Sequence, residues 1–357
     1  MEVRPALGLL PEEISSGVRP GGRHVFSRLQ RVDQWEGGAP VLGARAAAAV
    51  AGLDWSLPKV CSMQPSDDGA TKLGLELGDG RIVEAVHMPR DVRRPRVTLC
   101  VSSQVGCGMG CSFCATAAMG LVRNLSAHEI VGQVLRVVHD LGPKDDPRKI
   151  TLVFMGMGEP LHNLGAVLRA IEVLCHDAGL GLAPSRITVS TSGLVPQIAE
   201  LARARVRPQL AVSLNATTDE ARARTMPVAR RHGLAELVDA LVAFPLRPHE
   251  KITLAYVLLR GENDGDDDAE RLADIALRLP RAVVNVIPYN AFEGTAYAEA
   301  DAERLAAFTR VLHGRGCLVT VRRSRGRDVS AACGQLAREG RTLPRGAARR
   351  LPIAPPR

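Results

Sequence analysis

Three cysteines crowd into "CGMGCSFC": Cys107, Cys111 and Cys114, spaced C-x3-C-x2-C within a glycine-containing loop. Thiolates are soft ligands that suit zinc or iron–sulfur clusters. A structural zinc ion ordinarily takes four protein ligands, and the nearest nitrogen candidate, His128, falls inside a helical pattern beyond "NLSA". The spacing therefore favours iron–sulfur, with zinc left open. Three thiolates on a four-iron cluster leave one iron for a ligand from outside.

The chain holds eight cysteines. The opening "MEVRPALGLLPEE" shows no basic segment followed by an apolar one. A cytoplasmic place is expected, where cysteines serve metal or redox chemistry more than structural disulfides. Cys61, Cys175 and Cys317 read as small core residues. Taken alone, Cys333 after two alanines and Cys100 within an apolar strand read the same way. Glu84 shares strand parity with Ile82 and Val86, which puts an acid on a partly apolar face. Burial there favours the neutral form and suits a proton acceptor, although an exposed strand acid fits the pattern too.

The elements that would position these groups follow a repeating order. From residue 97 come the apolar runs "VTLCVSS", "KITLVFMGMG", "RITVSTSG", "QLAVSLNA", "KITLAYVLL", "AVVNVIPYN" and "LVTVRR", separated by helical patterns such as "EIVGQVLRVVHDL". Strands alternating with helices predict a parallel sheet, and the count predicts a partial (β/α)6 barrel of the α/β class rather than a closed one. Ligands of such folds bind where strands end. "MGMGEP", "STSG", "SLN" and "YN" all fall there, in one mouth with the cysteine loop.

Upstream, "TKLGLELGDGRIVEAVHMP" alternates about an Asp-Gly turn and predicts a β-hairpin. The expected organisation is a small helical accessory segment at 1–70, the hairpin at 71–92, the barrel core at 93–327, a cysteine loop at 328–338 and a basic, proline-rich, disordered tail at 339–357.

Composition narrows the partners. Lysine and arginine outnumber acids 46 to 38 in 357 residues, which favours a polyanion. Aromatics are only 3%, which disfavours a base-stacking platform and leaves phosphate contacts to arginine. The arginines at 90–96, 222–231 and 322–327 are the candidates, with "RRSRGR" at 322–327 best placed. The apolar run "AAAAVAGL" is too short to span a bilayer, so no membrane partner is expected.

The cysteine loop, with Phe113 before its last cysteine, resembles that of the radical S-adenosylmethionine (SAM) superfamily. "TLCVSSQVGC", "CSFCAT", "NLSAHEIVGQV", "FMGMGEP", "ITVSTSG", "IPYN" and "DVSAACGQL" together resemble the RlmN/Cfr adenine methyltransferases. The likeness is strong over residues 75 to 337 and weak before them. It implies a radical SAM barrel with a [4Fe–4S] cluster on Cys107, Cys111 and Cys114. It also implies SAM contacts at Gly158, Glu159, Ser190, Ser213, Leu214, Asn215 and Asn290. Cys333 matches the methyl-carrying cysteine, Cys100 its resolving partner in a transient disulfide, and Glu84 the proton acceptor.

The implied reaction has two stages. A first SAM methylates the Cys333 thiolate, an ordinary displacement. A second, bound at the cluster, yields a radical that activates the new methyl group for addition to adenine. Cys100 then attacks the Cys333 sulfur, releases the product and leaves a disulfide to be reduced. The resemblance implies C2 of an adenosine in 23S rRNA, with tRNA as a further substrate, an electron donor such as flavodoxin and a monomer. C8 methylation, and a divergent member with another RNA target, are the alternatives. Asn215 stands where many relatives carry histidine.

Overall fold

The computed structural model describes residues 4–14, 22–31, 35–36, 39–90, 96–142, 146 and 149–336. The segment 91–95 between the hairpin and the barrel lies outside these residues, as does the tail expected at 339–357.

Ten strands form one sheet: β1 (Lys59–Pro65), β2 (Thr71–Glu76), β3 (Ile82–Arg90), β4 (Arg96–Cys100), β5 (Ile150–Phe154), β6 (Ile187–Thr191), β7 (Gln209–Ser213), β8 (Ile252–Leu258), β9 (Ala282–Pro288) and β10 (Val319–Val321). Their order in space is their order in sequence, running from β10 at one edge to β1 at the other. Pairs from β4 to β10 are parallel, and those from β1 to β4 are antiparallel. Each parallel step advances by one strand across at least one helix, so the crossovers add up in one direction and curl the sheet into an open barrel.

The parallel strands explain their own sequences. Buried on both faces, they read as near-continuous apolar runs, yet the faces differ. On β6, Ile187 and Val189 are fully buried under helices, whereas Thr188 and Ser190 are only partly buried. The helical cover begins with α1 (Gly22–Gln30) and continues after the cysteine loop with α2 (Ala115–Ala118) and α3 (Ala127–Leu141). The start of α3 is fixed by a capping box: Glu129 N–H donates to Ser126 Oγ, and Ser126 N–H donates to the Glu129 carboxylate. His128, in its first turn, accepts a hydrogen bond from Leu7 N–H at its Nδ1 (3.2 Å), which gives this nitrogen a structural partner.

The hairpin turns at Gly80, whose φ of +75° favours glycine. It is the inner part of a larger extension. Strand β1 pairs with β2 and lies within the segment expected to be helical accessory. The barrel sheet therefore continues back to Lys59. The helix α1 and the short helix Ala44–Ala49 precede it.

Candidate active site

The cysteine loop leaves β4 and passes through a short strand, Gln104–Gly106, paired with Leu121–Asn124. Gly106 adopts φ +75°, and a Cβ there would lie 1.9 Å from the Gly120 carbonyl oxygen. Only glycine permits that crossing, and it aims Cys107 N–H at the same carbonyl (3.0 Å). From the other side Ser112 N–H donates to Thr225 O (2.9 Å), anchoring the loop on helix Asp219–Thr225. Cys114 is the N-cap residue of α2.

Cys107, Cys111 and Cys114 line one cavity of about 170 Å³ at the carboxyl ends of the parallel strands. Its other walls carry Glu159, Ser190, Ser213, Asn215, Arg322 and Cys333. Burial pushes the Cys107 thiol up to about 12 and raises those of Cys111 and Cys114, so without metal all three favour the protonated form. The three thiols border one space. Three thiolates suit a cluster, in which each takes a different iron, whereas a structural zinc ion ordinarily takes four protein ligands. The chemistry of the donor set therefore fits a [4Fe–4S] cluster.

The opposite wall is built from β5 and β6. Gly158 has φ +102°, and a Cβ there would meet Gln104 at 2.6 Å, so the backbone runs close beneath the cavity. Glu159 is buried. Its carboxylate accepts from Ser192 N–H (2.7 Å) and Leu161 N–H (3.0 Å), and its own N–H donates to Gln104 Oε1 (2.9 Å). Burial raises its pKa against those hydrogen bonds. Asn215 adopts φ +55°, a region asparagine tolerates better than most residues. Its Oδ1 accepts from Val257 N–H (2.9 Å) while its amide approaches the Met226 sulfur (3.3 Å).

Two residues expected at SAM stand further back. Leu214 is fully buried, with its N–H on Ala255 O (2.9 Å) and its carbonyl on Arg222 Nε (3.1 Å). Asn290 donates to Ser324 Oγ (2.8 Å) and to the Cys333 carbonyl (3.3 Å), so it holds the cysteine loop. That loop is also tied to α2: Ala115 N–H donates to Gly334 O (2.8 Å) and Thr116 Oγ1 to Leu336 O. Gln335 Nε2 completes the tie by donating to Ala291 O (2.7 Å).

Cys333 also lines a second, narrower cavity of about 20 Å³, and Cys100 lines it too. Burial, with the Cys333 thiol nearby, pushes Cys100 up to about 12, and the Arg322 guanidinium opposes the shift. Arg322 borders both cavities, its Nη1 lies 3.1 Å from the Met155 sulfur, and the two cysteines, Cys333 first, raise its pKa. Glu84 lines neither cavity. It is buried on β3 with Lys72 Nζ 3.5 Å from its Oε1, and its carbonyl accepts from Ser102 Oγ (2.6 Å).

Sequence reasoning missed Lys72, and it counted Arg222 among the phosphate contacts at 222–231, whereas the structure buries it. Arg222 has no exposed surface and also binds the Ser192 carbonyl, bridging the ends of β6 and β7. Burial lowers its pKa to about 10. Three of the four arginines in "RRSRGR" are committed to the fold, and only Arg323 is exposed without an ion pair among the described residues. Arg322 faces the cavities, Arg325 binds the carbonyls of Pro89 and Asp68, and Arg327 pairs with Glu299 (2.6 Å).

An open parallel barrel with three thiols at the strand ends, a buried glycine–glutamate turn opposite and a second thiol pair beside them defines a radical SAM enzyme. Residues 101–273 match the family model described as Radical SAM superfamily. The chain is 44% identical over 354 residues to the dual-specificity RNA methyltransferase RlmN of Anaeromyxobacter sp. (strain Fw109-5), covering 95% of this chain and 92% of that one. It is 46% identical over 294 residues to the RlmN of Geobacter sulfurreducens, covering 82% and 79%. Among solved structures, a radical SAM methyltransferase from Sphaerobacter thermophilus superposes with a TM-score of 0.79 at 38% identity, over 88% of this chain and 92% of that one. The chain belongs to the RlmN family of radical SAM RNA methyltransferases. The Anaeromyxobacter match also extends the likeness into the N-terminal segment.

Proposed function

We propose that the chain methylates C2 of an adenosine in 23S rRNA, and in tRNA, by way of a methyl group carried on Cys333. The observation that carries this reading is that Cys333 borders both the cavity of the three cluster thiols and the cavity of Cys100. One sulfur can then take up a methyl group on one side and be resolved from the other.

Cys107, Cys111 and Cys114 would hold the [4Fe–4S] cluster. Gly158, Glu159, Ser190, Ser213, Leu214, Asn215 and Asn290 form the SAM side, Leu214 and Asn290 through the backbone they fix. When bound, cluster and SAM supply one-electron chemistry that opens a C–H bond no side-chain base can break. The protein's residues do the rest. Asn290, Ala115 and Gln335 hold the Cys333 loop against the cavity. Arg322 favours the thiolate form of Cys100. After transfer, Cys100 attacks the Cys333 sulfur, frees the methylated base and leaves a disulfide for an external dithiol. Glu84 is assigned the ring proton, with the Lys72 ammonium beside it favouring the carboxylate.

The reading includes a low-potential donor such as flavodoxin, action as a monomer and a cytoplasmic place. Among the described residues no helix is long and apolar enough to cross a membrane. The test is anaerobic reconstitution with iron, sulfide and SAM, turnover on rRNA and tRNA transcripts, and nucleoside mass spectrometry. 2-Methyladenosine supports the reading; 8-methyladenosine, or no modified adenosine, overturns it.

A further inference from the structure

We propose that a separate cavity on the amino-terminal side of the cluster pocket seats a backbone phosphate of the RNA beside the target adenosine. The proposal rests on the RNA reading above and names where part of that substrate is held. The cavity measures about 420 Å³. Thr98, Thr151, Thr188 and Thr320 line it from β4, β5, β6 and β10.

Thr188 lies two residues before Ser190, which lines the cluster cavity, and two strand residues span about 7 Å. Arg322 and Asn285 border both spaces. The two compartments therefore adjoin at the scale of one nucleotide.

Its electrostatics are one-sided. The walls carry four arginines and no carboxylate. Arg325 is engaged by main-chain oxygens, and Arg322 faces the cysteine pair. Arg90, at the end of β3, and Arg323, just past β10, are exposed, and neither has an ion pair among the described residues. The sheet is open between these strands, since β10 is its edge. Two available guanidinium groups at the opening, with threonine hydroxyls behind them, form a donor set for a phosphodiester. A cationic group would find no counterpart there.

The test is RNA binding by the full-length reconstituted enzyme across a salt series, for wild type, Arg323→Ser, Arg90→Ser/Arg323→Ser and Thr188→Val, with Arg310→Ser as an exposed-charge control. The expected result is a loss of affinity on the order of tenfold for the double variant. Its log–log salt slope should also be shallower by about one or more, and Arg310→Ser should keep the wild-type slope. Thr188→Val adds no charge change and should weaken binding without altering the slope. Wild-type affinity and slope in the double variant would overturn the proposal. Titration with inorganic phosphate alone separates the two anion sources: phosphate binding lost in the double variant, with RNA binding intact, would make this a free-anion site and also overturn it. A wild-type enzyme that modifies no RNA refutes the underlying reading instead, and product analysis of the same samples tells the two failures apart.

Discussion

Cys100, on the first parallel strand, and Cys333, on the loop after the last, line the same small cavity, with the Arg322 guanidinium in its wall. Both are free thiols in this structure. A resolving reaction needs one sulfur to reach the other, and the barrel brings together two residues from opposite ends of its core.

Replacing either cysteine with alanine should leave the cluster thiols in place and abolish turnover. Iron content and visible absorbance of the reconstituted variants should match wild type, while methylated adenosine falls below detection. Cys100→Ala should stall with Cys333 still bonded to RNA, visible as a covalent adduct on a denaturing gel. Loss of the cluster in either variant would instead make these cysteines structural.

Arg322→Met should slow disulfide formation between Cys100 and Cys333. Burial already raises the Cys100 thiol to about 12, and Arg322 is the cation that opposes it. Without it less thiolate forms at a given pH, so the oxidation rate at pH 8 should fall, by about tenfold for each unit the thiol rises. In both enzymes the Cys100 thiol titrates far above the working range, so each rate should climb with pH while the ratio between the two holds constant. Stopped-time alkylation and mass spectrometry of the cysteine peptides measure it, and a wild-type rate in Arg322→Met would contradict the assignment.

Lys72 and Glu84 form a buried ion pair whose nearest N–O distance is 3.5 Å. Lys72→Met should cost about 3 to 5 kcal/mol in denaturant unfolding, because a buried carboxylate loses its cation. Lys72→Met/Glu84→Leu should recover most of that loss. The single variant should also shift the acid limb of activity upward in pH, since burial then favours the protonated carboxyl. An unshifted limb would remove Glu84 from the proton-transfer step.

Arg222→Met removes donors to the carbonyls of Ser192 and Leu214, which flank the strand ends at Ser190 and Ser213. Charged hydrogen bonds of this kind are worth about 1.5 to 3 kcal/mol each. Stability should fall by about 3 kcal/mol, and SAM should bind the reconstituted variant more weakly in calorimetry. Unchanged SAM affinity would confine Arg222 to a packing role.

The parallel strands were legible because strands buried on both faces leave continuous apolar runs, and the hairpin because its alternation meets at an Asp-Gly turn. Strand β1 was not: "KVCSMQP" lies at the sheet edge, and five of its seven residues are exposed, while Cys61 and Met63 break the polar alternation. The cysteine loop and the glycine–glutamate turn stand out by residue type and spacing alone. Lys72, Arg222, Thr116 and Gln335 act through partners distant in sequence, so no local pattern marks them. The same limit made "RRSRGR" read as a phosphate grip throughout, because Asp68, Pro89 and Glu299, which engage Arg325 and Arg327, lie far from it along the chain.

The most direct test of Cys333 as methyl carrier follows its peptide by mass spectrometry while counting 2-methyladenosine in the RNA. Wild-type enzyme incubated anaerobically with SAM should carry a methyl group on Cys333, and Cys333→Ala should produce no 2-methyladenosine. Formation of 2-methyladenosine by Cys333→Ala would contradict the mechanism outright.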